Sequence, residues 1–437
     1  MHIREKGAGR RMSYELRKIQ ITDVQFGDVN RIDKGVLTID AQSIIDLLME
    51  DKRIKSVEID IAKPAESVRI LPVKDVIEPR AKAEGNVFPG IQSDVAEAGK
   101  GVTYALKGCA VVTTGPIVGF QEGLIDMSGP GAQYSIFSKL NNIVIQIFKE
   151  ENVEPHEHEQ IVREAGIKAA RYIGQIGLNY EDYVSEEIHW KPIGEKYREY
   201  PELPKVVYVY NCMAQGLLHD TYYYGRDAKM MIPTLITPPE VADGAIVSGN
   251  CVSPGSKTTT YHHQNNAVLE QCLARHGKEI NFMGIVLNPL MVTLKEKYRN
   301  CMLTVKYAQM LGAQGAIISQ EGFGNPTTDL MLTCKGLENS GIKTVIITNE
   351  DAGVDGMSES LPDTVSEANA IVSTGNSNET ILLPKMGKII GQLHEIERVT
   401  GGNVDSIQED GQLLVEIHGI MGSHNLQGNT FLSAITV

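Results

Sequence analysis

At 437 residues, with 42% hydrophobic and 22% charged side chains, the chain is long enough for two or three domains and has the composition of a soluble globular protein. A formal net charge of −14 argues against nucleic acid or an anionic membrane surface as partner. The acidic balance suits a soluble cytoplasmic enzyme without establishing one, and no stretch is apolar over the length of a membrane span.

The first eleven residues are basic and irregular. They read as a loose extension or an early start, and they lack the apolar segment of a secretory signal. The six cysteines, Cys109, Cys212, Cys251, Cys272, Cys301 and Cys334, are scattered without a C-x-x-C pair, which suggests neither a disulfide framework nor a zinc ribbon.

Residues 14–75 read as β-rich, with a short helix over 41–50. Val57-Glu58-Ile59-Asp60-Ile61 alternates as a half-buried strand should. Residues 76–131 are glycine-rich with short apolar runs. Ala110-Val111-Val112-Thr113-Thr114-Gly115 reads as a strand and turn, and Glu122 to Gly131 as a loop lying close to other groups. A helix is expected over 155–178, with Pro155 in its first turn and Glu157 and Glu159 at the positive end of its dipole. Its start reads as solvated. His156 and His158 point about 200° apart on a helix, so they do not suggest a shared metal ion; no metal site is expected.

A polar, proline-bearing stretch over 191–204 is the expected linker. It would separate a β-rich α+β amino-terminal domain, residues 1–190 ending in a helix, from an α/β domain over 205–437. In the latter, short β-branched runs beginning at Val206, Phe282, Ala316, Thr344 and Ala370 alternate with helical patterns over 293–311 and 327–339. That alternation predicts a mostly parallel sheet with flanking helices and with its functional groups at the carboxyl ends of the strands. Glu321 and Asn325 fall at one such end and suit a small polar substrate or a partner's loop, and Asn325 equally suits a plain helix cap. Residues 381–394 read as helical, and 412–417 as a strand.

The candidate centre is Val247-Ser248-Gly249-Asn250-Cys251-Val252-Ser253-Pro254-Gly255-Ser256, between two of the expected strands. The Cys251 thiol is placed in sequence to attack the Asn250 carbonyl, which would leave a main-chain thioester. Such a shift needs a strained turn, because a planar peptide resists attack. Ser248, Ser253 and Ser256 are candidate donors to the developing oxyanion. Elimination would turn Cys251 into dehydroalanine and then into a pyruvoyl ketone. Lys257 is a candidate binder for a substrate carboxylate, and His262 and His263 are candidates for proton transfer. Taken alone, Gly-Asn-Cys also fits an ordinary turn with a buried thiol, and a Cys hydrolase would need an oriented His and acid.

With these residues in view, the chain resembles the precursors of the α and β subunits of protein B of glycine, sarcosine and betaine reductases, and more distantly the D-proline reductase proprotein. The resemblance is carried by Asp23-Val24-Gln25-Phe26-Gly27, Thr113-Thr114-Gly115, Gly129-Pro130-Gly131, Pro155-His156-Glu157-His158-Glu159, Gly249-Asn250-Cys251, and Gln320-Glu321-Gly322-Phe323-Gly324-Asn325-Pro326. It implies cleavage at Asn250–Cys251, a pyruvoyl cofactor derived from Cys251, and a Schiff base with the substrate amine. It also implies reductive deamination leading to acetyl phosphate. The implied partners are selenoprotein B, selenoprotein A and protein C in a hetero-oligomer. An unprocessed scaffold subunit of the same complex is the alternative.

Overall fold

A computed structural model describes residues 12–91, 93–119, 122–249 and 252–428, together with the backbone of the short strand Ser433–Ile435. The chain is mixed α/β, as the alternation of patterns predicts.

Two four-stranded sheets build the amino-terminal half. One runs in the order Val184–Trp190, Met12–Gln20, Gly101–Lys107, Arg80–Lys82; the other in the order Ile54–Ala62, Asn141–Lys149, Cys109–Thr114, Asp75–Ile77. The helix Pro155–Gln175 packs across the strands 75–77, 80–82 and 109–114. Two glycines permit that approach: a Cβ on Gly166 would meet Thr113 Cγ2 at 2.5 Å, and one on Gly174 the Arg80 backbone at 2.4 Å.

In the second half, a seven-stranded sheet runs in the order Thr234–Ile236, Asn281–Leu290, Lys205–Met213, Gly315–Ser319, Lys343–Glu350, Ile371–Asn376, Ser433–Ile435. The five inner strands are parallel and the two outer ones antiparallel to their neighbours. Helices Leu294–Met310 and Asn325–Asn339 pack on each other and against this sheet. Among the described residues, no helix is long and apolar enough to cross a membrane.

One local reading needs revision, and the expected linker gains a helix. The 191–204 stretch carries a helix, Ile193–Glu199, whose buried Lys196 holds its Nζ 3.8 Å from the Trp190 ring centroid. Residues 381–394 are not helical. They form the strands Thr380–Leu383 and Lys388–Gly391 and enter a 3₁₀ turn, Leu393–Arg398. Pro384 removes a backbone donor from any helix there, and the β-branched pair Ile389-Ile390 joins a sheet instead. The 388–391 strand pairs in parallel with Val68–Val73, so the late part of the chain returns to the amino-terminal half.

That return is fastened by charge. Arg69 lies in the 68–73 strand and grips Asp126 twice, Nε to Oδ1 at 2.6 Å and Nη2 to Oδ2 at 2.8 Å, with both side chains excluded from water. The same guanidinium donates to the Pro384 carbonyl at 3.2 Å. Breaking a buried pair leaves an uncompensated charge. Asp126→Ala is therefore expected to destabilise the protein by about 3–5 kcal/mol, read as a fall in the midpoint of urea unfolding. Asp126→Asn, which keeps an acceptor, should lose less.

Candidate functional site

The centre begins where the strand Ile246–Val247, paired antiparallel to Tyr222–Tyr223, runs out into Ser248 and Gly249. Asn250 and Cys251 lie outside the described residues. Gly249 is required by its neighbours: a Cβ there would meet Tyr222 Cε2 at 2.8 Å and Arg163 Cδ at 2.9 Å. Upstream, Ser248 N donates to Thr260 Oγ1 at 3.0 Å. Downstream, the loop is tied to residues 418–425. Gly255 N donates to His418 O at 2.8 Å, Gly422 N to Pro254 O at 2.9 Å, and Asn425 Nδ2 to Lys257 O at 3.2 Å. The two-residue segment is thus entered and left by fixed backbone.

Along Ser248 and Gly249 lies a cavity of about 40 Å³, room for a few water-sized groups. Its wall carries three cations, Lys74, Arg163 and Lys257, and three acids, Asp75, Glu122 and Glu159. Lys74 Nζ meets Glu122 Oε2 at 2.6 Å, and Arg163 Nε donates to Glu159 Oε1 at 3.0 Å. Lys257 Nζ donates to the Lys74 carbonyl at 2.6 Å and acts on Asp75 by its charge. Asp75 accepts from Thr260 N at 2.9 Å and from Thr260 Oγ1 at 2.6 Å. The Thr260 hydroxyl therefore links the Asp75 carboxylate to the Ser248 amide. Burial pushes Asp75 up to about 6, with Lys257 and Thr260 opposing it. Burial also raises Glu159, against the pull of Arg163 and His219. Ser248 Oγ is buried with no hydrogen-bond partner among the described residues, a donor available to an oxyanion or to a small polar occupant.

The sequence-derived candidates are distributed unevenly around this cavity. Lys257 lines it. Glu321 is buried and accepts two backbone amides, Thr258 N at 2.9 Å and Met213 N at 2.8 Å, tying the loop after the cavity to the end of the 205–213 strand. Asn325 is exposed at the first turn of its helix, where its carbonyl accepts from Lys297 Nζ at 3.0 Å. His262 and His263 lie in the short helix Thr260–Gln264. His262 Nδ1 closes a capping box with Thr259, and His263 Nδ1 is hydrogen-bonded to the Tyr210 hydroxyl. The Nε2 of each is buried without a partner among the described residues.

The helix start at 155–159 departs from its reading as solvated. His158 and Glu159 are buried, and Glu159 reaches the cavity. Lys74, Asp75, Glu159 and Arg163 are the cavity residues that sequence reasoning passed over. For the last two a signal exists: 159, 163, 166 and 170 fall on one helical stripe whose other members are Gly166 and Ala170, a buried face rather than a wet one.

A mixed α/β protein with a small charged cavity beside Ser248 and Gly249 is what fold and site define. The chain belongs to the family of glycine/sarcosine/betaine reductase component B subunits, whose profile matches residues 12–435. It is 50% identical over 429 residues to the glycine reductase complex component B subunits alpha and beta of Acetoanaerobium sticklandii, covering 97% of this chain and 100% of that relative. It is 49% identical over 425 residues to the sarcosine reductase complex component B subunit alpha of Peptoclostridium acidaminophilum, covering 97% and 99% of the two chains. A distant similarity, 22% over 348 residues, joins it to the D-proline reductase proprotein of Acetoanaerobium sticklandii, over 72% of this chain and 51% of that one. No solved structure matches the chain.

Burial holds His158, His262 and His263 down at about 3, against 6.5 for a free imidazole. Between those values the unfolded chain binds more protons than the folded one, so stability is full above 6.5 and is lost as pH falls toward 3. A series of thermal midpoints across that window should fall with acidity, and the fall should be shallower in His263→Gln, whose side chain can still accept from Tyr210. An unchanged slope would remove His263 from the acid sensitivity.

Proposed function

We propose that this chain is the precursor of substrate-binding subunits in a glycine-reductase-type complex, cut between Asn250 and Cys251 so that Cys251 becomes a pyruvoyl group. The observation that carries the reading is the charged cavity running along Ser248 and Gly249, immediately before that bond. The residues there suit the group. Among the described residues Ser248 Oγ is an unspent buried donor, Gly249 admits no side chain, and cations and carboxylates line the same cavity. One relative carries two subunits, alpha and beta, in a single matching chain, and another is a proprotein, which favours a cut.

Once formed, the pyruvoyl ketone supplies an electrophile for a substrate amine. The work of the surrounding residues is to bind and to move protons. Lys257, Lys74 and Arg163 offer positive charge to a carboxylate, and Asp75 and Glu159 hold protons within the cavity. Primary and secondary amino acids, glycine and sarcosine, carry a nitrogen able to condense. A quaternary nitrogen does not. A selenoprotein subunit brings the nucleophile that displaces the nitrogen, so catalysis belongs to a cytoplasmic hetero-oligomer.

Cleavage would not separate the pieces. The 205–213 strand, before residue 250, is hydrogen-bonded on one side to 281–290 and on the other to 315–319, both after it. The purified protein should run as one particle under native conditions and as two chains, 1–250 and 251–437, when denatured. The smaller should be lighter than a simple hydrolysis product by the elements of H₂S and NH₃ less one water. Borohydride with glycine or sarcosine should label the smaller chain. A single intact mass after expression with the partner subunits would overturn the proposal.

Burial pushes Asp75, in the cavity wall, up to about 6. In the proposed cut Asp75 is assigned as the base for the Cys251 thiol, a role it fills only when ionised. The rate of chain cleavage should therefore rise with pH through about 6 and lose that rise in Asp75→Asn, followed by the ratio of intact to cut chain on denaturing gels.

A further inference from the structure

Glu159 faces two ways. One oxygen, Oε1, accepts from Arg163 Nε inside the cavity wall. The other, Oε2, is buried and ends no hydrogen bond of ordinary geometry among the described residues, yet it stands 3.3 Å from His219 Nε2. His219 is the outer member of the pair, with 21% of its side chain exposed. Its Nε2 is also 3.1 Å from the His156 carbonyl, and its Nδ1 lies 2.9 Å from the Tyr222 hydroxyl and 3.8 Å from Asp227 Oδ2. Arg163, whose guanidinium carbon is 4.0 Å from the Tyr222 ring centroid, closes the group from the cavity side.

We propose that His219 and Glu159 form the proton entry of the cavity, His219 taking protons from solvent and passing them to Glu159. The inference rests on the proposed function, in which a nitrogen leaves the substrate and must be protonated. The step is a single proton transfer. The Nε2–H bond of the His219 imidazolium breaks, an O–H bond forms at Glu159 Oε2, and imidazolium and carboxylate become imidazole and carboxylic acid. Solvent then restores the proton on His219. No oxidant or reductant enters the step. A small rotation of the ring exchanges the His156 carbonyl for Glu159 as acceptor.

The charged and titratable surroundings agree with this direction. Facing His219 are Glu159, Arg163 and His156 from the 155–175 helix, Tyr222 from the strand Tyr222–Tyr223, and Asp227 from Arg226–Asp227. Asp227 first, and Glu159 after it, raise His219 above the ordinary imidazole value, while burial and Arg163 oppose them. Burial raises Glu159 as well, so both partners hold protons at higher pH than they would in water. By contrast His262 and His263 stay neutral and sealed from water.

Two measurements on the full chain decide the matter. The first follows His219 by ¹⁵N-histidine NMR titration in the wild type and in Glu159→Gln. Its midpoint should move to lower pH when the carboxylate is neutralised, and a midpoint that stays in place overturns the coupling. The second uses the reconstituted complex. His219→Gln should lower kcat by about 10²-fold with little change in KM, and added imidazole should restore part of the rate. Because the imidazolium is the donor, wild-type kcat should fall as pH rises through the His219 midpoint, and Asp227→Asn should bring that fall to lower pH. Loss of rate without imidazole rescue, or a limb unmoved by Asp227→Asn, overturns the proton path. The mass of the same sample reports cleavage separately. An uncut chain counts against the proposed function, whereas a shifted His219 midpoint in it would still support the pair.

Discussion

A charge withdrawn from water must be met by an opposite charge or by several hydrogen bonds, at a penalty of several kcal/mol per ion if it is not. The cavity beside Gly249 meets this requirement three times, with Lys74 on Glu122, Arg163 on Glu159, and Lys257 facing Asp75. The members come from separate parts of the chain. Lys74 and Asp75 sit at the junction of two strands, Glu122 precedes the strand Gly123–Asp126, Glu159 and Arg163 stand on one helix, and Lys257 follows the clamped loop. Removing any one member would leave its partner stranded, so charge balance holds these segments in register with one another. Asp75 shows the balance at work: burial raises it, but Lys257 and two bonds from Thr260 keep the rise to about 6.

The second constraint is topological. The 205–213 strand is enclosed by 281–290 and 315–319, and the 388–391 strand is laid against 68–73. The described flanks of the loop, residues 248–249 and 252–257, therefore lie between segments that already interlock on both sides. Gly123 and Gly322 bring backbone close to them, since a Cβ on the first would meet Pro254 Cβ at 2.5 Å and one on the second Val252 Cγ2 at 2.9 Å. These described flanks are held in place by the packing around them.

Much of the fold was legible because periodicity reports burial. The apolar runs beginning at 206 and 282 are buried on both faces, those at 316, 344 and 370 are strands with some half-buried positions, and the helix at 155 carries a clear buried stripe. The run 381–394 misled because Leu, Lys, Met and Ile suit a helix locally, while pairing with 68–73 is a contact across more than three hundred residues that no window can see. The site was legible only where the chemistry is local. Lys257 follows Cys251 closely and was found. Glu159 and Arg163 were missed because an acid in the first turn of a helix is ordinarily explained by the dipole and by water. Glu321 was found at its strand end, but its carboxylate is occupied by the amides of Thr258 and Met213.

The distribution of protonation follows from the same burial. Desolvation drives an imidazole toward its neutral form and a carboxyl toward its protonated form, so one environment moves the two groups in opposite directions. His262 and His263 fall to about 3, while Asp75 rises to about 6. Proton transfer is most effective for a group whose pKa lies near the working pH. In this cavity that description fits a carboxyl better than either adjacent histidine, although sequence would favour the histidines. The Nδ1 atoms of His262 and His263 are engaged by a helix cap and by Tyr210. Under the proposed function, acid–base work along the Ser248–Gly249 wall is assigned to carboxylates, and the proposed route by which a buried carboxylate is recharged is a titratable neighbour that touches solvent.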